Sequence, residues 1–234
     1  MSFIKDDAYF DDIRNIKLFK NKNLQKQIYK VLLDLIVKGT LKENTLLFEN
    51  QISLAFEVSK TPVREALKKL ESDELIKIVP QSKTYVLPIN AQKVQSALKI
   101  REALELLLVA EATKNISDED FLILDDLLVK QKASLDNKSF DNFFIYDEAF
   151  HFQIAKIAKL LDAWKILKKV SLHIRRVRYM TQHNYSLSYG AINEHKNIIS
   201  AMKSRDIEVA KLQMTIHLAG ASNALDRMLI EENI

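Results

Sequence analysis

Four side chains in the second half of the chain could together hold a metal ion. Asp147 and His151 stand four residues apart in a segment with helical periodicity, so both leave the same helix face about one turn apart. His195 and His217 lie in two later helical segments, and a helical bundle can bring three helices around one interior point. An aspartate and three neutral imidazoles suit zinc or nickel, with manganese and iron(II) also compatible, and leave one or two coordination positions open. On spacing alone, a chance grouping is favoured over a metal site.

A second group of side chains, in the first third of the chain, could read DNA. Apolar residues within 63–70 recur at helical spacing and form one face of a predicted helix, whose opposite face is polar and basic. Arg64 on that face can donate two hydrogen bonds to guanine O6 and N7. Ser59, Lys60 and Thr61 at the helix N-terminus can contact base edges or phosphates. The pattern also allows an ordinary helix with a solvated basic face.

The composition favours helices to position these side chains. Glycine and proline number 3 each in 234 residues, which disfavours turn-rich sandwiches and glycine-rich nucleotide-binding loops. A hydrophobic fraction of 47% excludes a disordered chain. The sequence has no cysteine, so disulfides, thiolate catalysis and cysteine-based zinc sites are excluded, and any metal must be held by histidine and carboxylate.

The positive charge is concentrated in the first third. Residues 13–88 contain 14 Lys and Arg against 8 Asp and Glu, a net charge of +6, whereas residues 89–234 contain 20 against 19, a net charge of +1. No run of 18 apolar residues occurs, and the acidic N-terminus lacks the apolar core of a signal peptide. We therefore expect a cytoplasmic protein that does not associate with membranes.

The first third predicts a winged helix-turn-helix domain over residues 21–88, preceded by an N-terminal arm or short helix over residues 1–20. A first helix runs from Leu24 to a left-handed stop at Gly39, a second covers residues 49–56, and a third begins after Ser59. The stretches LIKIV and TYVLPI flank PQSK and predict a small β hairpin. Two helices at helix-turn-helix spacing followed by a hairpin are typical of a winged helix.

The remainder, residues 89–234, predicts an antiparallel all-helical bundle. Helical periodicity is nearly continuous from Ala91, with segments at about 91–114, 117–135, 139–158, 161–182, 188–203 and 206–231. The predicted fold class is therefore mainly α, with the hairpin as its only convincing strands.

The string VSKTPVREALKKLESDELIKI, followed by PQSKTYVLPI, resembles the GntR family of bacterial transcription regulators, and the likeness extends over residues 24–88. The resemblance implies that the following residues contact operator DNA: Asn50, Ser59, Lys60, Thr61, Arg64, Gln81, Ser82 and Lys83. Three turns depart from the family pattern, with Glu43-Asn44 in place of Pro-Gly, and Glu57 and Lys83 in place of glycines. A positive φ at Glu57 would cost about 1 kcal/mol. The operator sequence is therefore not transferable from relatives.

The second half resembles the FCD domain, the all-helical effector-binding companion of one GntR subgroup. The pattern Asp147-x-x-Phe150-His151, then Glu194-His195, then His217 carries this likeness. It implies that Asp147, His151, His195 and His217 are the metal ligands. His173 and His183 have no counterpart in the pattern and are expected to be core or partly exposed histidines.

Arginines could supply the remaining chemistry of an effector site. The resemblance covers IREALELLLVAEA, where Arg101 matches a family arginine that faces the ligand cavity. A buried arginine beside a metal could clamp a small organic acid with two hydrogen bonds, or could form a structural salt bridge to Glu105, and both interpretations stay open. The cluster Arg175, Arg176 and Arg178 is expected to be solvated surface.

Other site classes use some of the same residues. A di-iron oxidase needs a Glu-x-x-His pair on each of two helices. Glu148 and His151 supply one pair, but isoleucine and methionine precede the two later histidines by three positions, so this class is excluded. A mononuclear metal hydrolase would leave the basic winged helix unexplained. A metal sensor, in which the ion itself is the signal, uses the same ligands and stays open.

The sequence as a whole predicts a transcription regulator rather than an enzyme. We expect its C-terminal domain to bind a divalent metal and, as a hypothesis, a small carboxylate effector that alters operator affinity by shifting a conformational equilibrium. A single winged helix offers few base contacts, so a homodimer on double-stranded operator DNA is expected.

Overall fold

The computed structural model describes residues 9–19, 22–181 and 185–231. The chain divides into two compact units, residues 1–90 and 91–234, so the structural division falls two residues beyond the boundary expected at residue 88. The fold is mainly α, with an N-terminal helix-turn-helix region, a two-stranded antiparallel hairpin and a C-terminal group of helices, which confirms the predicted fold class.

The N-terminal unit contains four helices and two strands within its described residues. Their bounds are α1 Tyr9–Arg14, α2 Leu24–Val37, α3 Glu49–Ala55, α4 Lys60–Ser72, β1 Ile76–Val79 and β2 Lys83–Val86. The side chain of Asn23 caps α2 by accepting a hydrogen bond from the backbone N–H of Lys26, at 2.9 Å. Gly39 follows the helix with φ of 77°, as expected for a left-handed stop.

The apolar faces of α2, α3 and α4 form the core of this unit. Ile28 and Leu32 of α2, Ile52 of α3, and Val63 and Leu67 of α4 are fully or almost fully buried. Short helices of this kind are stabilised mainly by such packing rather than by intrinsic propensity. The core thereby fixes which face of α4 points outward.

The N-terminal segment contributes to the same unit. In α1, Tyr9, Phe10 and Ile13 are buried, and the helix contacts α3. The Tyr9 hydroxyl donates a hydrogen bond to the carbonyl oxygen of Leu46, at 3.5 Å. The short helix that the sequence left as one of two possibilities is therefore present. The earlier part of the predicted arm, residues 1–8, lies outside the described residues.

Residues 45–47 pair with the hairpin through an isolated bridge that sequence periodicity did not indicate. Leu46 forms an isolated bridge with Tyr85 of β2. The backbone N–H of Leu47 donates to Thr84 O at 2.8 Å, and that of Val86 donates to Thr45 O at 3.0 Å. A pairing of two or three residues is too short to produce an alternating apolar pattern.

Four described residues of the N-terminal unit other than glycine have positive φ: Asn44, Glu57, Glu74 and Gln81. Asn44 has φ of 63° and Glu57 has φ of 53°, at two of the positions where the family pattern has glycine. At the wing, Lys83, which stands in place of a family glycine, does not have a positive φ. The left-handed residue is Gln81, with φ of 55°, because Pro80 and Gln81 occupy the centre of a β-turn closed by Ser82 N donating to Val79 O. Lys83 begins β2 opposite Val79.

The C-terminal unit consists of helices throughout its described residues. Their bounds are α5 Ala91–Asn115, α6 Asp118–Asp136, α7 Phe140–Ile157, α8 Leu161–Met180, α9 Tyr185–Lys203 and α10 Ile207–Glu231. The start of α6 is fixed by a capping box between Ser117 and Asp120. Arg205 has φ of 58° and donates hydrogen bonds to the carbonyl oxygens of Thr113 and Ile116, so it links two helix connections.

The helices surround one interior region. α5 contacts α7, α8 and α10, while α6 contacts α7 and α9. The main apolar core includes Leu108, Phe150, Ile154, Ile198 and Met214, drawn from four of these helices. Within the described ranges, no helix combines the length and apolarity needed to cross a membrane.

Candidate metal centre and nucleic-acid interface

The polar face of α4 points away from the core of its unit. Lys60, Thr61 and Arg64 are exposed, as is Ser59 just before the helix. Asn50, near the start of α3, is exposed too. The buried apolar residues on the opposite face of α4 explain this orientation, because their packing fixes the rotation of the helix. The structure thus presents the sequence-predicted contact residues of both helices to solvent.

Arg64 is held by a carboxylate that the sequence reasoning did not assign to it. Its Nε and Nη2 donate to the two carboxylate oxygens of Glu49, at 3.3 and 3.0 Å, and the Glu49 hydrogen bond raises the pKa of Arg64. The pair connects the first residue of α3 with α4. Because it occupies the Nε and Nη2 edge, the other edge of the guanidinium remains for a second bidentate partner.

The wing exposes part of its predicted contact set. Gln81 and Ser82 are exposed at the turn. Lys83 is half-buried, and its ammonium lies 5.7 Å from the centre of the Tyr85 ring, within the range of a cation–π interaction. The tip itself is therefore polar and uncharged, and the nearest positive charge stands one residue beyond it.

The four candidate metal ligands converge in the interior of the C-terminal unit. Asp147 and His151 come from α7, His195 from α9 and His217 from α10, and all four are buried. Their potential ligand atoms lie within 4.8 Å of one another. His217 Nε2 is 3.2 Å from Nε2 of both His151 and His195, and His195 Nε2 is 3.8 Å from Asp147 Oδ1.

Each histidine is oriented by an acceptor on its other ring nitrogen. His151 Nδ1 lies 3.0 Å from Glu105 Oε2, His195 Nδ1 lies 2.9 Å from Gln131 Oε1, and His217 Nδ1 lies 2.9 Å from Glu194 Oε2. Carboxylate and amide oxygens only accept, so the proton belongs on Nδ1 and the Nε2 lone pairs point toward one another. This is the arrangement in which histidine binds a metal through Nε2.

The two carboxylate oxygens of Asp147 have different surroundings. Oδ2 accepts a hydrogen bond from Arg178 Nη1 at 2.8 Å. Oδ1 is buried and has no hydrogen-bond partner, and it faces the Nε2 atom of His195. A buried carboxylate oxygen without a partner is costly unless a cation meets it.

The electrostatics favour the metal-binding protonation states of Asp147, His195 and His217. Burial opposes the charge on Asp147, but Arg178, followed by His151 and His195, holds the pKa of Asp147 well below its usual range. Burial and the neighbouring His217 hold the pKa of His195 well below its usual range, and burial together with His151 lowers the pKa of His217 to about 3. At neutral pH the aspartate is therefore charged while these two imidazoles are neutral.

The residues present fit a divalent ion. Bonds of about 2.0 to 2.1 Å at tetrahedral or octahedral angles separate neighbouring ligand atoms by roughly 2.9 to 3.4 Å. Both 3.2 Å separations between imidazole nitrogens fall in this range. Three nitrogen ligands and one oxygen ligand of intermediate softness suit zinc or nickel, with manganese and iron(II) also compatible.

A cavity of about 50 Å³ adjoins the cluster, and its wall includes Asp147 and His151. Arg101 also lines it, and the salt bridge to Glu105 that the sequence allowed is present. Its Nε lies 3.4 Å from Glu105 Oε1, while its Nη2 lies 3.3 Å from His151 Nε2. Burial opposes the negative charge of Glu105, but His151 and then Arg101 lower the pKa of Glu105 to about 2.

The expectation that Arg175, Arg176 and Arg178 are solvated surface was wrong. Arg176 is buried, and the side chains of Arg175 and Arg178 are only 29% and 20% exposed. Arg175 and Arg178 line the cavity, where Arg175 Nη1 lies 3.8 Å from Glu148 Oε2. Three arginines within four residues on a helix resemble a surface pattern, but the packing of α8 against α5, α7 and α10 covers them in part or in full.

The remaining sequence-predicted positions lie apart from the cluster or outside the described residues. His173 is half-buried on α8 and is not part of the ligand group. His183 lies outside the described residues. The sequence did not reveal the three residues that orient the histidines through their Nδ1 atoms: Glu105, Gln131 and Glu194. Only Glu105 and Glu194 had a sequence signal, the first as a possible partner of Arg101 and the second through its place beside His195.

The metal-free protein is expected to lose stability as the pH falls from 7 to 5. His217 has a pKa of about 3 in the folded chain and about 6.5 when unfolded. Below about pH 6.5 the imidazole of His217 binds a proton in the unfolded chain but stays neutral in the folded chain. Proton binding therefore stabilises the unfolded state. The free energy of unfolding is highest above pH 6.5 and decreases as the pH falls toward 3. This amounts to about 2 kcal/mol at pH 5.

Urea unfolding at both pH values in the presence of a chelator measures this effect. The His217→Gln variant, which lacks the titrating imidazole, should lose about 2 kcal/mol less than the unmodified chain between pH 7 and pH 5. An equal pH dependence in both proteins would show that His217 is not a buried neutral group.

Comparison with known proteins identifies the matching families. Residues 24–86 match the family described as bacterial regulatory proteins, gntR family, and residues 96–220 match the FCD domain. The chain is 33% identical over 210 residues to the HTH-type transcriptional repressor RspR of Escherichia coli strain K12, covering 90% of this chain and 92% of that protein.

More distant matches agree in fold or function class. The gluconate operon transcriptional repressor of Bacillus subtilis strain 168 is 28% identical over 176 residues, covering 73% of this chain and 72% of the repressor. Among solved structures, Escherichia coli McbR/YncC matches with a TM-score of 0.77 and 20% identity, over 88% of this chain and 99% of that one. At 20% identity, the similarity to McbR/YncC is evidence for a shared fold alone.

Proposed function

The chain belongs to the GntR family of bacterial regulatory proteins and contains an FCD domain, and from this premise we propose that it senses a small carboxylate through a protein-bound divalent metal. It is a transcription regulator rather than an enzyme. In the proposed mechanism, Asp147, His151, His195 and His217 hold the ion, and the effector alters affinity for operator DNA. Two relatives carry names that describe repressors, which supports repression as the direction of control.

The unpartnered Oδ1 of Asp147 carries the metal part of the proposal. It is buried beside three imidazole Nε2 atoms whose other ring nitrogens are already committed to acceptors. His151 Nε2 has a donor in Arg101 Nη2, but without a cation the site would leave an ionised oxygen and the Nε2 lone pairs of His195 and His217 facing one another away from water, which is unfavourable. When bound, the metal would supply a Lewis-acidic coordination position for an effector carboxylate.

The cavity beside the cluster supports a small anionic effector. Arg101 is 7% exposed, and its guanidinium reaches His151 while lining the cavity. Lys168, Arg175 and Arg178 add further basic side chains to the wall. The acidic wall residues Glu105 and Glu148 already pair with the basic ones. A carboxylate could thus meet both the metal and a guanidinium donor.

For DNA, we propose a homodimer that reads a two-fold operator with the exposed face of α4, the start of α3 and the wing. The proposed contact residues are Asn50, Ser59, Lys60, Thr61, Arg64, Gln81, Ser82 and Lys83. The net charge of +6 over residues 13–88 supports attraction to phosphates. Pairing two such units doubles the base contacts available for specific recognition.

Elemental analysis and native mass spectrometry of the purified protein test the metal and the oligomeric state together. We expect about one divalent ion per chain and a dimer. Operator affinity is then measured at constant metal while small carboxylic acids are added, with DNA selected in vitro from random sequences. A change in affinity supports the carboxylate effector. If metal alone switches DNA binding and no acid has an effect, the ion itself is the signal.

A further inference from the structure

Arg178 is the side chain that connects the metal ligands with the cavity. Its Nη1 donates to Asp147 Oδ2 at 2.8 Å, and the same guanidinium lines the cavity. It stacks on Phe144, with its central carbon 4.7 Å from the ring centre, and Phe144 packs on Tyr179 at 4.7 Å. The aromatic platform and the carboxylate together fix the position of this guanidinium.

From this geometry we propose that Arg178 is a positioning residue that holds Asp147 Oδ1 toward the metal and at the same time binds the carboxylate of the effector. The inference rests on the proposed function. A guanidinium has five N–H donors, and the contact with Asp147 uses one nitrogen. Its other donors can therefore serve a second carboxylate without breaking the first contact.

The positioning role follows from how Asp147 is bound. A carboxylate on a helix can rotate about its side-chain bonds, and it presents the correct oxygen to a metal only if the other oxygen is held. Arg178 holds Oδ2, and the side chain of Asp147 is 3% exposed, so water has little access to replace that contact. Partners of this kind typically contribute 10- to 100-fold to metal affinity.

The second role makes metal and carboxylate binding interdependent. A carboxylate in the cavity adds negative charge near Asp147, and Arg178 lies where it can neutralise both groups. Binding of the anion should then stabilise the metal-bound arrangement, and by thermodynamic linkage the metal should raise the affinity for the anion by the same factor. Without the guanidinium, the two carboxylates would repel each other.

Zinc affinity of the full-length protein, measured by competition with a fluorescent chelator, tests the positioning role. Arg178→Gln should weaken zinc binding by about 10- to 100-fold. Arg178→Lys keeps the charge and one N–H donor for Oδ2, so it should restore most of the affinity. Lys169→Gln is the matched control, because Lys169 is an exposed basic residue of the same helix and is not among the residues that line the cavity. It should bind zinc like the unmodified protein.

Acetate, titrated at constant ionic strength, tests the second role. It should tighten zinc binding to the unmodified protein severalfold, and less so in both Arg178 variants, because neither has a forked guanidinium. An equal response in all proteins, including no response, overturns the shared role. Zinc affinity of Arg178→Gln equal to that of the unmodified protein overturns the positioning role.

The outcomes separate this inference from the proposed function. If the unmodified protein binds no metal, both fail. If it binds one ion per chain and Arg178→Gln binds it equally well, only the inference fails. Circular dichroism and urea unfolding of each variant exclude misfolding as the cause of weak binding, and a folded Arg178→Lys protein that does not recover zinc affinity also counts against positioning.

Discussion

Replacing His195 with alanine should abolish stoichiometric metal while leaving DNA binding measurable. His195 is fully buried, and its Nε2 lies 3.2 Å from His217 Nε2 and 3.8 Å from Asp147 Oδ1, so the substitution removes a ligand from the middle of the group. Since partners outside the ligand set already contribute 10- to 100-fold, we expect loss of a direct ligand to weaken binding by more than about 100-fold. Elemental analysis after dialysis measures the loss.

Stability provides an independent readout of the same prediction. A ligand that binds only the folded state stabilises it by about 2.7 kcal/mol at a concentration 100 times its Kd. Zinc should therefore raise the unfolding midpoint of the unmodified protein and leave that of His195→Ala almost unchanged. His173→Ala is the matched control, because His173 lies on α8 outside the ligand group. Retention of one ion per chain by His195→Ala would refute the ligand set.

The sequence predicted the candidate metal ligands but not the shell that orients them. Asp147 and His151 were readable because residues four apart share a helix face. Gln131 could not be found in this way, since it lies on α6, 64 positions before His195, and an isolated glutamine carries no spacing signal. Its role arises only where α6 and α9 pack together.

The arginines of α8 show that a local pattern can also predict exposure where distant packing produces burial. Their spacing is typical of an exposed basic face, yet Arg178 reaches a ligand carboxylate and Arg176 is buried. The local sequence pattern indicates which residues share a helix face. It does not indicate which other helices pack against that face, because those helices come from distant parts of the sequence. In this unit, six helices contribute to the cluster and its immediate partners, so most of the relevant contacts join residues far apart in sequence.

In the N-terminal unit the elements were predicted well and the turn details were not. The helical periods of α2 and α4 and the apolar runs of the hairpin are strong local signals. The left-handed residue of the wing is Gln81 rather than Lys83, because the register of Val79 with Lys83 confines the turn to the three residues between them. Register depends on pairing between strands, which a single strand's pattern does not specify.

Replacing Arg64 with alanine should remove discrimination between operator and non-operator DNA worth roughly 1 to 3 kcal/mol. Glu49 holds the Nε and Nη2 edge of Arg64, which leaves the edge formed by Nη1 and Nη2 for guanine O6 and N7. A fixed guanidinium loses less freedom on binding a base than a mobile one, so the pair with Glu49 also contributes to recognition. The measurement is the ratio of affinities for a selected operator and for unrelated DNA at one salt concentration.

Two further variants separate base recognition from attraction to phosphate. Arg64→Lys keeps the positive charge but lacks the planar fork, so it should lose discrimination while retaining affinity for unrelated DNA. Glu49→Gln removes a negative charge and weakens the hold on Arg64, so it should raise affinity for unrelated DNA and lower the ratio. If Arg64→Ala instead weakens binding to all sequences equally, Arg64 contacts the phosphate backbone. The proposal that Arg64 reads a base from α4 would then be wrong.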